Sequence, residues 1–136
     1  SNVFGAIRLI GSAEADLLYT TIALVKSAVP PIECVVGFTG AIDIRNSAII
    51  GPAPRYGAMC MPKLDIVTSY ESTEATQAAL AETFSTFGSG QFQAQPEGPL
   101  RDVAMWMPGD PAVDHDGTPR PKVAGPDFAG ADRPVP

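Results

Sequence analysis

The chain has 136 residues, of which 45% are hydrophobic, and it carries a formal net charge of -6. This length predicts one domain with a hydrophobic core. The acidic balance argues against nucleic acid or an anionic membrane as a partner, because both attract clustered Lys and Arg. No apolar run reaches the ~18 residues of a membrane span, and the N-terminus lacks the basic and apolar segments of a secretory signal. We therefore expect a soluble, cytoplasmic protein.

The first third of the chain is predicted to form a strand, a helix and a second strand. Residues 3–10 alternate as a half-buried strand does. Ser12 follows as a candidate N-cap, and the helix that it starts is expected to stop at Pro30. Residues 32–38 have the pattern of the second strand. The apolar stripe of the predicted helix contains Leu18, Ile22, Val25 and Val29.

The middle of the chain holds a long connection and the clearest strand–helix pattern. Residues 39–57 are bracketed by Gly and Pro and are predicted as an excursion that can carry short strand segments, for function or for an oligomer contact. Residues 64–70 alternate with a period of two, which predicts a strand. Ser72 is the expected N-cap of a helix that ends at Gly88. The apolar face of that helix is Thr76, Leu80, Phe84 and Phe87.

The composition changes after residue 107. Residues 100–107 have the pattern of a last strand, whereas residues 108–136 are rich in Pro and Gly and have almost no periodicity. The latter segment cannot bury a core of its own, so it is either disordered or an arm laid along another surface. We therefore predict a folded domain of residues 1–107 followed by a C-terminal arm of residues 108–136.

The order of predicted elements indicates an α+β fold. Strand, helix, strand, long loop, strand, helix and strand predict a ferredoxin-like βαββαβ sandwich, in which a four-stranded antiparallel sheet carries two helices on one face. No repeat of solenoid type is recognised in the sequence. The open sheet face would mix apolar and charged side chains. We expect a homo-oligomer that pairs through this face and encloses a partly polar cavity, the alternative being a solvated face.

A first family resemblance rests on residues 51–81. There a Gly/Pro-rich loop with an aromatic residue leads into a strand, an acidic turn and an Ala-rich helix. This order resembles the EthD-like branch of the dimeric alpha+beta barrel proteins. The resemblance implies a small dimer that binds or transforms an aromatic or polyketide-like compound without a cofactor.

A second resemblance rests on the strand–helix order, on the long loop and on the segments MPKLDIV and GSGQF. These features are similar to the trimeric PII-like signal proteins. In that case residues 39–57 would be an effector loop, and Gly88, Ser89 and Gly90 would help to hold a nucleotide phosphate through backbone N–H groups. The resemblance implies a trimer that senses a nucleotide or an anion and regulates a partner protein.

Four charged residues are the candidates for catalysis in the predicted cavity: Arg8, Glu33, Asp65 and Asp102. A buried carboxylate with a raised pKa can act as a general base, and an arginine can stabilise an enolate-like charge. The alternative is a structural ion-pair network at a subunit contact.

Four further residues are the candidates for ligand binding: Arg55, Tyr56, Trp106 and Phe4. Arg55 and Tyr56 stand at the return of the long loop, where they could gate a cavity or bind an anion, or simply pack. Trp106 and Phe4 could stack on a ligand, or form the core of an interface.

The two cysteines, Cys34 and Cys60, lie in apolar strand-like runs. They are predicted to be buried free thiols, with a single disulfide between neighbouring strands as the alternative. No phosphate-binding loop, dinucleotide fingerprint, zinc-ligand spacing or Ser-centred elbow is present, so no cofactor is expected.

One acidic segment with the only histidine is similar to part of a calcium-binding loop: Asp110, Asp114, His115 and Asp116. The closing Glu and the spacing of an EF-hand are missing, so a solvated loop without metal is predicted.

The sequence thus predicts an oligomeric protein, expected to be a dimer, that binds a small organic ligand and could act on it by acid/base chemistry. A PII-like regulator and a structural subunit of a larger assembly are the alternatives.

Overall fold

The computed structural model describes residues 6–25, 29–88 and 91–135. These residues form short strands, a 3-10 turn at Met61–Lys63 and the helix α1 (Gln77–Thr83). The strands before α1 are β1 (Ile7–Leu9), β2 (Ala15–Leu18), β3 (Thr21–Ala23), β4 (Ile32–Cys34), β5 (Ile42–Arg45), β6 (Ala48–Ile50), β7 (Leu64–Val67) and β8 (Tyr70–Ser72). The strands after α1 are β9 (Phe84–Gly88), β10 (Gln91–Ala94), β11 (Ala104–Trp106) and β12 (Gly125–Asp127).

The first eight strands form a parallel β-solenoid of three coils. Sheet A pairs β1 with β4, sheet B has the order β2-β5-β7 and sheet C the order β3-β6-β8, all in parallel. The first coil comprises residues 6–25, the second 29–50 and the third 55–72. Among the described residues, the third coil joins sheet A through one isolated parallel bridge, between Ile32 and Tyr56.

The interior of the solenoid is filled by apolar side chains from all three sheets. Ile32, Ile42, Ile44 and Ile49 have no solvent exposure and pack in one cluster with Leu9, Ile22 and Cys60. Fully burying one such side chain contributes about 1.5–3 kcal/mol. Because successive residues of a strand point to opposite faces, the strand residues that alternate with these buried side chains face away from the interior.

The corner between sheets B and C has the same backbone in every coil. Tyr19, Asn46 and Thr68 follow the sheet B strands directly, and their φ angles are 48, 56 and 47 degrees. The left-handed conformation turns the chain sharply, although for residues other than glycine it carries a steric cost. Repetition of the same turn in each coil keeps the three passes in register.

A ladder of hydroxyl groups links the coils immediately after this corner. Ser69 Oγ accepts the backbone N–H of Ser47 at 3.0 Å, and Ser47 Oγ accepts that of Thr20, also at 3.0 Å. Each hydroxyl thus accepts a hydrogen bond from a backbone N–H group that the tight corner removes from the regular pairing between strands.

A disulfide joins Cys34 in β4 to Cys60, which immediately precedes the 3-10 turn. It fixes the third coil to the second on the side where sheet A is weakest. The prediction of two free thiols is therefore wrong, and the alternative of one disulfide is correct.

The C-terminal half covers the outer face of sheet C. The helix α1 leads into a hairpin of β9 and β10, and β11 pairs with β12, both antiparallel. Because this half packs on Ala48 and Ile50, β6 is buried on both faces. The residues of this second core are Leu80, Phe84, Ala94, Leu100, Ala104, Trp106 and Ala129.

Residues 108–135, the C-terminal arm, contact the solenoid through polar groups near its corner. Asp110 pairs with Arg45. Gly130 donates its N–H to the carbonyl of Asn46 at 2.9 Å, and Ala131 donates its N–H to Thr21 Oγ1 at 2.9 Å. The division into units at residue 107 stays a prediction.

The predicted ferredoxin-like sandwich is wrong. Among the described residues the sheets have two or three strands, most are parallel, and the single α-helix has seven residues. The predicted helix after Ser12 is instead β2 and β3. Residues 39–57 hold β5, which is buried on one face, and β6, which is buried on both. The open four-stranded face proposed for oligomerisation is therefore not a feature of this fold, and the oligomeric state itself stays a prediction.

Unequal coil lengths explain why no repeat is visible in the sequence. Ala15 pairs with Ile42, which is 27 residues later in the chain. Ile42 pairs in turn with Leu64, which is only 22 residues later. Pairing between coils determines which of these residues form strands, and local sequence patterns do not encode that pairing.

Candidate metal centre

Two segments of the C-terminal arm bring a histidine and two aspartates together. His115 and Asp116 stand in a tight turn from Asp114 to Thr118, closed by the Asp114 N–H on the Thr118 carbonyl at 2.9 Å, and Gly117 has a φ of +88 degrees. Asp132 lies on the neighbouring segment. A single carboxylate or imidazole is an ordinary surface feature, but three converging ones form a candidate ligand set.

The distances between the donor atoms are close to those around a small divalent ion, and some are longer. His115 Nδ1 lies 3.3 Å from Asp116 Oδ1 and 3.8 Å from Asp132 Oδ1, and the three donor atoms lie within 4.8 Å of one another. Ligands bound to zinc at their usual lengths in tetrahedral geometry are about 3.3–3.6 Å apart. A small movement of one carboxylate would therefore complete the set.

Asp132 is the unusual member of the three. Its side chain is only 6% exposed, and Oδ1 is buried with no hydrogen-bond partner among the described residues. Burial raises the pKa of this carboxyl above its ordinary value, and the charges of Asp116 and Asp114 add to the rise, against His115 and Arg120. A buried carboxylate oxygen without a partner is costly, and a cation beside it removes that cost.

The backbone of Asp132 is held in place by its neighbours. Its carbonyl accepts the N–H of Ala94 in β10 at 3.2 Å, and Gln93 forms a parallel bridge with it. The His115 N–H donates to the carbonyl of Ala131 at 3.2 Å. Asp132 thus belongs at once to the edge of the β9–β10 hairpin and to the candidate centre.

A buried ion-pair network lies directly beside the centre. The Arg120 and Asp127 side chains are 1% and 0% exposed and are joined by a 2.9 Å hydrogen bond, and Arg133 Nε lies 3.0 Å from Asp127. The Arg120 guanidinium also stacks on the Tyr19 ring at 3.7 Å. Burial and the charge of Asp127 raise the pKa of Tyr19. This network holds the segment that carries Asp132.

The four predicted catalytic residues lie on different elements of the fold. Arg8 and Glu33 are register partners on β1 and β4 of sheet A. Asp65 is exposed on β7 of sheet B, and Asp102 is exposed in the loop before β11 with a φ of 58 degrees. They thus lie on two sheets and in a loop, and their role in catalysis stays a prediction.

Asp65 is instead part of an acidic ladder on sheet B. Asp16, Asp43 and Asp65 are register partners on three adjacent parallel strands, and all three are exposed. Two of them line a shallow depression of about 280 Å³ together with Arg45. The sequence prediction missed this ladder because it placed Asp16 in a helix.

Three of the four predicted ligand-binding residues are engaged in contacts within the protein, and the fourth is not described. Tyr56 is buried and donates its hydroxyl to Glu71 Oε1 at 2.6 Å, and Arg55 lies 3.6 Å from the same oxygen. Trp106 is in the second core, where its Nε1 donates to the Pro111 carbonyl at 2.9 Å. Phe4 lies outside the described residues.

The sequence pattern singled out two of the three residues of this cluster, although it predicted a loop without metal. Of the four residues compared with a calcium loop, His115 and Asp116 belong to the cluster. Asp110 is engaged with Arg45, and Asp114 with backbone N–H groups. The essential third residue, Asp132, is 16 positions beyond Asp116. A motif search along the chain cannot connect the two without the fold.

In the part of the chain that the structure describes, no helix has the length and apolar content needed to cross a bilayer. Comparisons of the chain with protein-family models, with curated proteins and with solved structures give no match. The two family resemblances thus have no support from them, and the fold that both imply is contradicted.

Proposed function

We propose that this protein binds one divalent metal ion, Zn²⁺ in the first place, through His115 Nδ1, Asp116 Oδ1 and Asp132 Oδ1. The observation that carries the proposal is the buried Oδ1 of Asp132, which has no hydrogen-bond partner among the described residues and faces His115 at 3.8 Å. An ion there would neutralise the buried charge.

The ligand types favour a transition metal over calcium or magnesium. Zn²⁺ combines imidazole nitrogen with carboxylate oxygen in four-coordinate sites, whereas Ca²⁺ takes six to eight oxygen ligands. Two carboxylates balance the charge of a divalent ion. Three protein ligands leave one position for water, and the exposed side chain of His115 keeps that side of the ion open to solvent.

The role that we propose for the ion is to fix the arm. Asp132 is attached to β10, and His115 and Asp116 stand in the turn that precedes the Arg120 segment. An ion bound to all three would join the turn to the hairpin. The protein would then be a metal-binding β-solenoid module.

The proposed centre accounts neither for the predicted small organic ligand nor for the predicted acid/base chemistry, so both stay predictions. The Cys34–Cys60 disulfide supports an oxidising compartment in place of the predicted cytoplasm, because structural disulfides are rare in the cytosol.

Calorimetric titration of the disulfide-intact protein with Zn²⁺, together with thermal unfolding in EDTA and in Zn²⁺, tests the proposal. We expect one ion per chain and a rise in unfolding free energy of about 2.7 kcal/mol at a free ion concentration of 100 Kd. Asp132→Asn should remove the response to Zn²⁺. It should also be more stable than the wild type in EDTA, because the buried charge is gone.

Asp102→Asn is the matched control. Asp102 is exposed and lies outside the centre, and asparagine tolerates its positive φ. This variant should respond to Zn²⁺ as the wild type does. A wild-type protein without heat of binding or thermal shift, or an Asp132→Asn variant that binds as tightly as the wild type, would contradict the proposal.

A further inference from the structure

The carboxylate of Asp114 connects the two segments that carry the proposed metal ligands. Oδ1 accepts the N–H groups of Asp116 at 2.9 Å and of Thr118 at 2.8 Å. Oδ2 accepts the N–H of Arg133 at 2.8 Å. Both oxygens of this buried side chain are therefore used within the protein.

Two of these hydrogen bonds, those from Asp116 and Arg133, act at or next to a ligand. Asp116 is itself a ligand, and Arg133 directly follows the ligand Asp132. One carboxylate thus fixes where the backbone of both ligand segments lies. Hydrogen bonds from N–H groups to an ionised carboxylate are short and about twice as strong as neutral ones.

We infer that Asp114 is the positioning residue of the centre: it holds the His115–Asp116 turn and the Asp132 segment at the spacing that the ion requires, without binding the ion. This inference rests on the proposed function. Partners in the shell around metal ligands typically change metal affinity about 10- to 100-fold when they are replaced.

The chemistry of asparagine offers a selective test. In Asp114→Asn the amide oxygen can still accept from Asp116 and Thr118, so the turn is kept. The amide nitrogen cannot accept a hydrogen bond, so the bond from Arg133 is lost. The variant therefore removes one link between the two segments, while all three ligand side chains are retained.

Zn²⁺ affinity and the visible absorption of the Co²⁺-loaded protein are the two measurements. We expect Asp114→Asn to weaken Zn²⁺ binding about 10- to 100-fold and to change the Co²⁺ spectrum, because the ligand spacing changes. The spectrum reports ligand geometry, which a loss of stability alone would not alter.

Asp110→Asn is the matched control, since Asp110 is also a buried aspartate of the arm but bonds to Arg45. It should lose stability and keep both the affinity and the spectrum. If Asp114→Asn does not fold, Asp114→Ser serves instead, because its hydroxyl can cap the same turn but is too short to reach Arg133.

The outcomes are separable. A wild-type protein that does not bind Zn²⁺ overturns the proposed function. A wild-type protein that binds, with Asp114 variants of equal affinity and unchanged spectrum, overturns only the role of Asp114. Equal losses of affinity in the Asp114 and Asp110 variants would also overturn it.

Discussion

The solenoid, described for residues 6–25 and 29–72, and the arm of residues 108–135 lie against each other, yet the side chains that they bury differ. The solenoid buries isoleucines from three sheets and repeats one corner in each coil. The arm has a single short strand and buries Arg120, Asp114, Asp127 and Asp132. Arg120, Asp114 and Asp127 have partners within the arm, whereas Asp132 Oδ1 has none among the described residues and would need the proposed ion.

The largest change in stability is expected when one buried charge is removed from the arm. Asp127→Asn should lower the free energy of unfolding by about 3–5 kcal/mol, because Arg120 would remain buried without its partner. Urea unfolding monitored by fluorescence of the only tryptophan, Trp106, reports the C-terminal half, and far-UV circular dichroism reports the strands.

The joint replacement Arg120→Met with Asp127→Leu is the control for that experiment. It removes both charges, so it should cost less than the single change. A loss below about 1 kcal/mol for Asp127→Asn would show that the arm does not depend on the pair.

A smaller effect is expected where the arm meets the solenoid. Asp110→Asn should cost about 1.5–3 kcal/mol, because charged hydrogen bonds to Arg45 are lost. Those bonds hold the pKa of Asp110 below its ordinary 3.8 in the folded protein. The contribution is therefore complete above about pH 4 and is lost as the pH falls through the lowered value.

Urea unfolding of the wild type and of Asp110→Asn between pH 7 and pH 3 checks this dependence. The difference in unfolding free energy should be constant near neutrality and shrink below about pH 4. A difference that is the same at pH 3 and pH 7 would assign the contact to packing and not to charge.

The smallest effect is expected on the solenoid itself and has the opposite sign. Asp43 stands between Asp16 and Asp65, and like charges opposite each other on adjacent strands are destabilising. Asp43→Asn should raise the free energy of unfolding by about 0.2–1 kcal/mol at low salt.

The gain from Asp43→Asn should disappear in 1 M salt, where the screening length falls to about 3 Å. Asp16→Asn, with one acidic neighbour in the ladder, should give a smaller gain. A gain that salt does not change would mean that repulsion in the ladder is not its cause.

The sequence revealed those strands whose pattern is local. Residues 32–38 and 64–70 alternate clearly, and β4 and β7 are found there. The helix predicted after Ser12 is wrong because Leu18 and Ile22 fit a helical stripe, whereas in the structure they lie on two strands separated by the corner at Tyr19. A left-handed tyrosine has no sequence signal.

The centre was beyond sequence reasoning for a related reason. Asp132 carries no local pattern, and its proximity to His115 depends on the bridge to β10 and on the Arg120–Asp127 pair. The disulfide was only one of two alternatives, because the distance between Cys34 and Cys60 depends on the stacking of coils. Contacts between segments that are distant in sequence, and not patterns along the chain, determine both.

The shared corner also indicates where this chain could change in length. In every coil the first residue of the sheet C strand comes six residues after the first residue of the sheet B strand. Ala15 to Thr21 and Leu64 to Tyr70 are examples. The remaining connections vary between coils. Insertions placed there should be tolerated, whereas one added residue at Asn46 would turn Ile49 outward and empty the centre of the stack.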